Sequence, residues 1–185
     1  MKIRLETLAQ MRTFAEVLAG YLRAGDLLIL SGNLGAGKTT FTQSLGKALG
    51  VLGRITSPTF VIAREHPSST EGPTLVHVDA YRLSDADELG DLDLDSELDE
   101  SITVVEWGAG LAEQLSSDYL GLTITPCFDV GDADGEEVVD DEVDDERRTV
   151  ELHAHGSTWQ DRLQQVGAAM RTVAAAQPEE EEDSP

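Results

Sequence analysis

An α/β fold follows from three features of this 185-residue chain. Short apolar runs alternate with stretches whose apolar residues recur at three- and four-residue spacing, the signatures of strands and helices. Gly32 to Thr39 reads G-N-L-G-A-G-K-T, a complete phosphate-binding loop of the G-x-x-x-x-G-K-[ST] type. Some of the later apolar runs are joined by links short enough for antiparallel hairpins. Together they predict a three-layer P-loop NTPase sandwich with a mixed parallel/antiparallel sheet.

Ile3 to Leu5 opens the chain as a short strand. Thr7 then caps a helix carrying Leu8, Met11, Ala15, Leu18 and Leu22 on one face. Gly25-Asp26 turns the chain into Leu27 to Leu30, an apolar run that reads as a buried strand. The phosphate loop follows, and Thr40 to Leu49 reads as the helix it leads into, ended by Gly50. Phe60 to Glu65 is the next strand. Pro58 at its entry cannot donate to a ladder, which assigns it to an edge or a loop.

The turn-rich link Pro67 to Pro73 makes Thr74 to Val78 the return arm of a hairpin. Ser84 to Glu100 is acidic, with Leu89, Leu92, Leu94 and Leu98 interspersed, and predicts short helices. Ile102 to Val105 is a short apolar strand, Leu111 to Leu115 a helical turn or two, and Tyr119 to Thr125 a further strand. Arg147 to His153 alternates as a strand and is expected to pair with Tyr119 to Thr125. A long insertion between paired strands is tolerable because loop closure becomes costlier only slowly with length. Thr158 to Ala176 is the closing helix. Residues 1–176 thus read as a single domain, without internal repeats.

The formal net charge is −23, and much of it is local. Eleven of the 36 acids lie in Asp129 to Glu146, which contains no Lys or Arg, and five more form Glu179 to Asp183. Both segments are too charged and too poor in apolar residues to pack. Residues 129–146 are therefore expected to be a disordered acidic loop insertion, and 177–185 a disordered acidic tail. The acidity excludes a protein that grips nucleic acid by itself, since phosphate neutralisation needs a basic footprint. A single cysteine, Cys127, excludes an intramolecular disulfide and a cysteine-cluster zinc site. The N-terminus lacks the apolar core of a secretory signal, and no apolar run approaches the roughly 18 residues of a membrane span. A cytoplasmic protein is expected.

Between a strand and a helix N-terminus, the backbone N–H groups of Gly32, Asn33, Leu34, Gly35, Ala36, Gly37, Lys38, Thr39 and Thr40 are candidates to converge on phosphate oxygens, aided by the helix dipole. The glycines allow backbone geometry and close approach that a side chain would block. Lys38 is expected at the β- and γ-phosphates, and the Thr39 hydroxyl as a magnesium ligand. Hydrolysis further needs carboxylates for magnesium and for the attacking water. Two strands end in candidates: Asp79 after T-L-V-H-V, and Glu106 after I-T-V-V. Acids beyond strand C-termini lie beside the ligand crevice of an α/β sheet. The alternative for each is a solvated acid at a strand end.

Trp107 reads equally as a core anchor or a lid over the nucleotide. Arg82 could face phosphates or pair with the acids that follow it. His77 alternates with Asp79 on its strand and reads as structural. His153 and His155 share a strand face but find no third ligand, so a metal site there is rejected. No N-K-x-D motif for guanine exists, nor L-S-G-G-Q, nor an Arg-rich kinase lid. ATP with Mg2+ is the indicated ligand.

Four elements together resemble the TsaE (YjeE) family of small bacterial ATPases: G-N-L-G-A-G-K-T-T at Gly32 to Thr40, S-P-T-F at Ser57 to Phe60, H-V-D-A-Y-R-L at His77 to Leu83, and V-E-W at Val105 to Trp107. Their order and spacing match from about Ile3 to Leu115. The resemblance implies an ATPase subunit, weakly active alone, of the assembly that forms N6-threonylcarbamoyladenosine on tRNA at the adenosine next to the anticodon. It implies binding to the TsaD–TsaB pair, with tRNA met only through that complex. It further implies that Lys38 and the loop amides hold phosphates, that Thr39 and Glu106 ligate magnesium, and that Asp79 serves in or next to the catalytic centre. Ser57, Pro58, Thr59 and Phe60 correspond to a switch segment, and Thr7 to a position near the nucleotide. The acidic insertion and tail have no counterpart in the family pattern. Competing readings are a small-molecule phosphotransferase (a P-loop kinase) and a nucleotide-dependent binding module with little chemistry.

Overall fold

A computed structural model of the chain describes residues 1–56, 62–92, 94–127 and 146–176. Seven strands form one sheet: β1 (Lys2–Leu5), β2 (Leu27–Ser31), β3 (Ala63–His66), β4 (Thr74–Asp79), β5 (Ser101–Glu106), β6 (Tyr119–Pro126) and β7 (Arg148–His155). Their order across the sheet is β1-β7-β6-β2-β5-β4-β3. The central four, β6, β2, β5 and β4, run parallel. The flanking pairs β6–β7, β7–β1 and β4–β3 are antiparallel. The mixed sheet expected from the sequence is thus present, with parallel strands buried at the centre and antiparallel strands at the rims.

Helices cover both faces. On one side α1 (Leu8–Ala19), α2 (Lys38–Ala48) and α5 (Thr158–Ala176) pack on Leu28, Leu30, Ile102, Val104, Leu122 and Val150. On the other, α3 (Ala86–Gly90) and short 3-10 turns at Ala80–Arg82 and Ala112–Gln114 cover Leu27, Ile29, Val76, Val78 and Val105. A further turn of helix, α4, spans Asp95–Leu98. The alternation of strand side chains assigns each residue to one cluster or the other.

Helix α1 begins where Thr7 predicts, with Thr7 Oγ1 accepting the Gln10 N–H at 3.2 Å. The Gln10 side chain returns the favour by accepting the Glu6 N–H at 2.8 Å, close to a capping box. Its buried stripe is Met11, Phe14, Ala15 and Leu18, so Phe14 joins the predicted face while Leu22 lies past the helix end. Phe14 meets Phe41 of α2 with ring centroids 5.6 Å apart, tying the first helix to the phosphate-loop helix. Burying each ring contributes about 1.5–3 kcal/mol.

Several boundaries differ from expectation by a few residues. Helix α2 starts at Lys38 rather than Thr40, because the loop's last residues already take the first helical turn, with Phe41 N–H on the Gly37 carbonyl at 2.8 Å. Strand β3 runs Ala63–His66 and is the sheet's edge, and Pro58 lies outside the described residues. Leu111 to Leu115 contains a 3-10 turn, and β7 extends to His155. The switch segment Ser57 to Phe60, residues 129–145 of the expected acidic insertion 129–146 and the tail 177–185 lie outside the described residues, while Glu146 of that insertion is described. Among the described residues, no helix is long and apolar enough to cross a membrane.

Candidate functional site

The parallel strands β2, β4, β5 and β6 all end at the same edge of the sheet, and the chain leaves β2 there into the phosphate loop. The loop must pass close to its neighbour β6. A Cβ on Gly32 would sit 2.2 Å from the Ile124 carbonyl oxygen, so no side chain fits. Gly37 caps α2 in the left-handed region at φ 103°, where residues other than glycine are strained. Gly35 takes the same region at φ 77°, so sterics explain all three glycines.

Lys38 is buried, and its ammonium donates to the carbonyl oxygens of Gly32 at 2.8 Å and Asn33 at 3.0 Å. The Trp107 ring covers it, with the ring centroid 3.6 Å from Nζ. Burial pushes the lysine below its ordinary value, while the carboxylates of Glu106 and Asp79 pull it upward. Trp107 follows β5 with φ 60°, left-handed backbone that a bulky residue rarely adopts. That turn swings the indole over Lys38 and against Tyr81, at a centroid distance of 5.0 Å. The ring is therefore a cover over the lysine rather than a core anchor.

Glu106 is the last residue of β5 and only 2% exposed. Its Oε2 accepts from Thr39 Oγ1 at 2.8 Å, and its Oε1 from Thr42 Oγ1 at 3.3 Å. Thr39 and Thr42 lie three apart on α2, hence on one face of it. Asp79 stands opposite Glu106 in the β4–β5 register, so both carboxylates leave the same sheet face. Asp79 Oδ1 accepts the Tyr81 N–H at 3.1 Å, which starts the 3-10 turn carrying Arg82.

Hard oxygen donors at this separation suit Mg2+, which takes one or two protein ligands and completes its shell with phosphate and water. Among the described residues no cluster of three His, Cys, Asp or Glu side chains could hold a metal alone. His153 lies 3.9 Å from Glu151, and His155 stacks on Tyr119.

Three contacts were not legible in the sequence. His77, expected to be structural, places Nε2 2.8 Å from Glu106 Oε1. Strand alternation gave its face, but only the β4–β5 register gives its partner. Arg148 Nε donates to the Ala36 carbonyl at 3.1 Å, bracing the phosphate loop from β7. Glu146 Oε2 accepts the Leu8 N–H at 3.0 Å, beside Thr7. Glu146 closes the acidic segment and Arg148 follows it, and each spans more than a hundred positions to its partner, beyond any local pattern.

A family model described as "Threonylcarbamoyl adenosine biosynthesis protein TsaE" matches residues 5–129. Among curated relatives, the tRNA threonylcarbamoyladenosine biosynthesis protein TsaE of Streptomyces coelicolor is 63% identical over 115 residues, 62% of this chain and 78% of its own length. The protein of that name from Bacillus subtilis is 36% identical over 125 residues, 67% of this chain and 77% of its own. The crystal structure of Bacillus subtilis YdiB superimposes with a TM-score of 0.65 at 25% identity, covering 94% of this chain and 95% of that one.

Proposed function

The chain belongs to the TsaE family, and from that premise we propose that it is a magnesium-dependent ATP hydrolase serving the threonylcarbamoyladenosine assembly. Threonylcarbamoyladenosine biosynthesis on tRNA is the process in which the family takes part. On this reading the modified position is the adenosine next to the anticodon, and the chain works in the cytoplasm on TsaD and TsaB homologues. The net charge of −23 supports contact with tRNA through those partners rather than directly.

The observation that carries the reading is the meeting of Thr39 Oγ1 and Glu106 Oε2 at 2.8 Å, at the head of the phosphate-loop helix. In the proposed site these two oxygens hold Mg2+, and the loop amides of residues 32–40 hold phosphate oxygens. Lys38 exchanges the Gly32 and Asn33 carbonyls for the β- and γ-phosphates. Asp79 and Glu106 divide the tasks of holding the cation and aligning water. When bound, Mg2+ supplies charge neutralisation and polarisation of the γ-phosphoryl group. The Trp107 ring excludes solvent from the lysine, and Thr7 borders the nucleoside. Ser57, Pro58, Thr59 and Phe60 are proposed as the segment that reports nucleotide state to the partners, and residues 1–176 as one functional domain.

The test is phosphate release from ATP by the full chain, alone and with the purified TsaD–TsaB pair. Slow release alone, altered by the pair, is expected. Lys38→Ala should lower it at least about 100-fold, equivalent to about 2.7 kcal/mol of transition-state stabilisation. A normal rate in that variant, or partners that neither bind the protein nor need it for threonylcarbamoylation, would overturn the proposal. Transfer of phosphate to a metabolite would favour a phosphotransferase instead.

A further inference from the structure

We infer that His77 is a positioning residue that sets the orientation of the Glu106 carboxylate toward a divalent cation. The inference rests on the role proposed for Glu106 above. His77 is fully buried, and its Nε2 lies 2.8 Å from Glu106 Oε1. A carboxylate that takes a cation can only accept hydrogen bonds, so in the proposed role Nε2 carries the proton and donates. The other ring nitrogen, Nδ1, is buried with no hydrogen-bond partner among the described residues. A polar ring buried with one nitrogen unsatisfied is a costly way to fill space. The contact to Glu106 is what the imidazole contributes that an apolar side chain could not.

The remaining donors on Glu106 cannot do the same task. Each threonine hydroxyl has one proton. That of Thr42 is also aimed at the Lys38 carbonyl oxygen, at 3.0 Å against 3.3 Å to Glu106, so its hold on the carboxylate is divided. That of Thr39 sits on Oε2, and Thr39 is the second proposed ligand. Its proton must turn away from Oε2 whenever both oxygens serve one cation. His77 then remains as the undivided donor, fixing Oε1 while Oε2 faces the cation. The carboxylate would otherwise rotate about its broad terminal torsion. Partners that orient a ligand in this way are typically worth about 10- to 100-fold in metal affinity.

The sheet supplies the rigidity. His77 pairs with Val104 in the β4–β5 register, two residues before the Asp79–Glu106 pair on the same face. The imidazole and both carboxylates therefore ride on adjacent central strands rather than on a loop.

The experiment measures ADP binding by the full chain across a Mg2+ titration and in excess EDTA, for His77→Leu, His77→Gln and Glu106→Gln. In EDTA the two His77 variants should bind ADP within about twofold of the parent, since the loop is untouched. His77→Leu should raise the half-saturating Mg2+ concentration about tenfold or more. His77→Gln, whose amide can still donate to Oε1, should recover most of that loss. The double variant His77→Leu/Glu106→Gln should be no worse than Glu106→Gln, because both act on one interaction. If Glu106→Gln raises the Mg2+ requirement and His77→Leu does not, the positioning role fails while the magnesium site stands. If Glu106→Gln itself leaves the requirement unchanged, the proposed site fails and the inference with it. Should His77→Leu not fold, His77→Asn against His77→Gln asks the same question, since the Asn amide is one methylene shorter. Equal Mg2+ requirements for Asn, Gln and parent would overturn the inference.

Discussion

Two buried acids in this chain, Asp26 and Glu106, are 4% and 2% exposed, yet they are treated oppositely. Asp26 receives a two-pronged grip from Arg162, with Nη1 and Nη2 each 2.6 Å from a carboxylate oxygen. The Arg23 N–H adds a third bond at 2.8 Å, and the guanidinium stacks on Trp159 at 3.8 Å. Its charge is compensated in place, and it locks α5 to the turn before β2. Glu106 instead meets two hydroxyls and an imidazole. Its nearest ammonium, Lys38, is bonded to loop carbonyls. A buried carboxylate already matched by Arg holds a fold together. One met by two hydroxyls that can turn away and by one fixed imidazole retains the capacity to take a cation, and the phosphate loop supplies the reason to take one.

The contrast can be broken by exchanging the symptoms of losing each acid. Glu106→Gln keeps the shape, its amide oxygen can still accept from His77 and its NH2 can donate to a threonine hydroxyl that turns, so it should lower Mg2+-dependent hydrolysis about 100-fold or more while the melting temperature moves by no more than about 3 °C. Phosphate release and calorimetry on the same preparation check both halves. A large drop in melting temperature would make Glu106 a structural acid like Asp26. Asp26→Ala should do the reverse. Breaking a buried pair and stranding its partner costs about 3–5 kcal/mol, or roughly 10 °C in a domain of this size. Hydrolysis per folded molecule should stay within about twofold below that melting point. Lost activity without lost stability would mean the two clusters are coupled.

The smallest effect concerns a third acid, Asp118, whose Oδ1 accepts the Thr158 N–H at 2.8 Å where α5 begins. That backbone hydrogen bond holds its carboxyl below the ordinary value of 3.8. A lowered carboxyl contributes stability that is present above the ordinary value and is lost as pH falls through the lowered one. Acid unfolding followed by circular dichroism should therefore be less steep below about pH 4 in Asp118→Asn than in the parent. Identical acid limbs would remove Asp118 from the anchoring of α5.

The site was legible where its chemistry is local. The glycines, Lys38 and Thr39 lie within eight consecutive residues, and an apolar run followed by an acid marked Glu106 and Asp79 as strand-end carboxylates. Thr7 could be read as a cap because its partner is three residues away. The contact of His77 with Glu106 was not legible because the partner lies 29 residues on, across a strand pairing that alternation alone does not specify. The Asp26–Arg162 pair, 136 residues apart, left no local trace at all.

By itself the sequence determined the periodic elements, the phosphate loop and the face on which each strand residue lies. Those depend on backbone sterics and on neighbours within a turn or a pleat. The tertiary structure decided which side chains meet. Parallel register put Asp79 opposite Glu106 and brought His77 to the same carboxylate. The left-handed turn at Trp107 laid an indole over Lys38, and β7 returned Arg148 to the phosphate loop. These meetings are set by the global pairing of strands, whose energetics are spread over the whole core rather than written in any one segment.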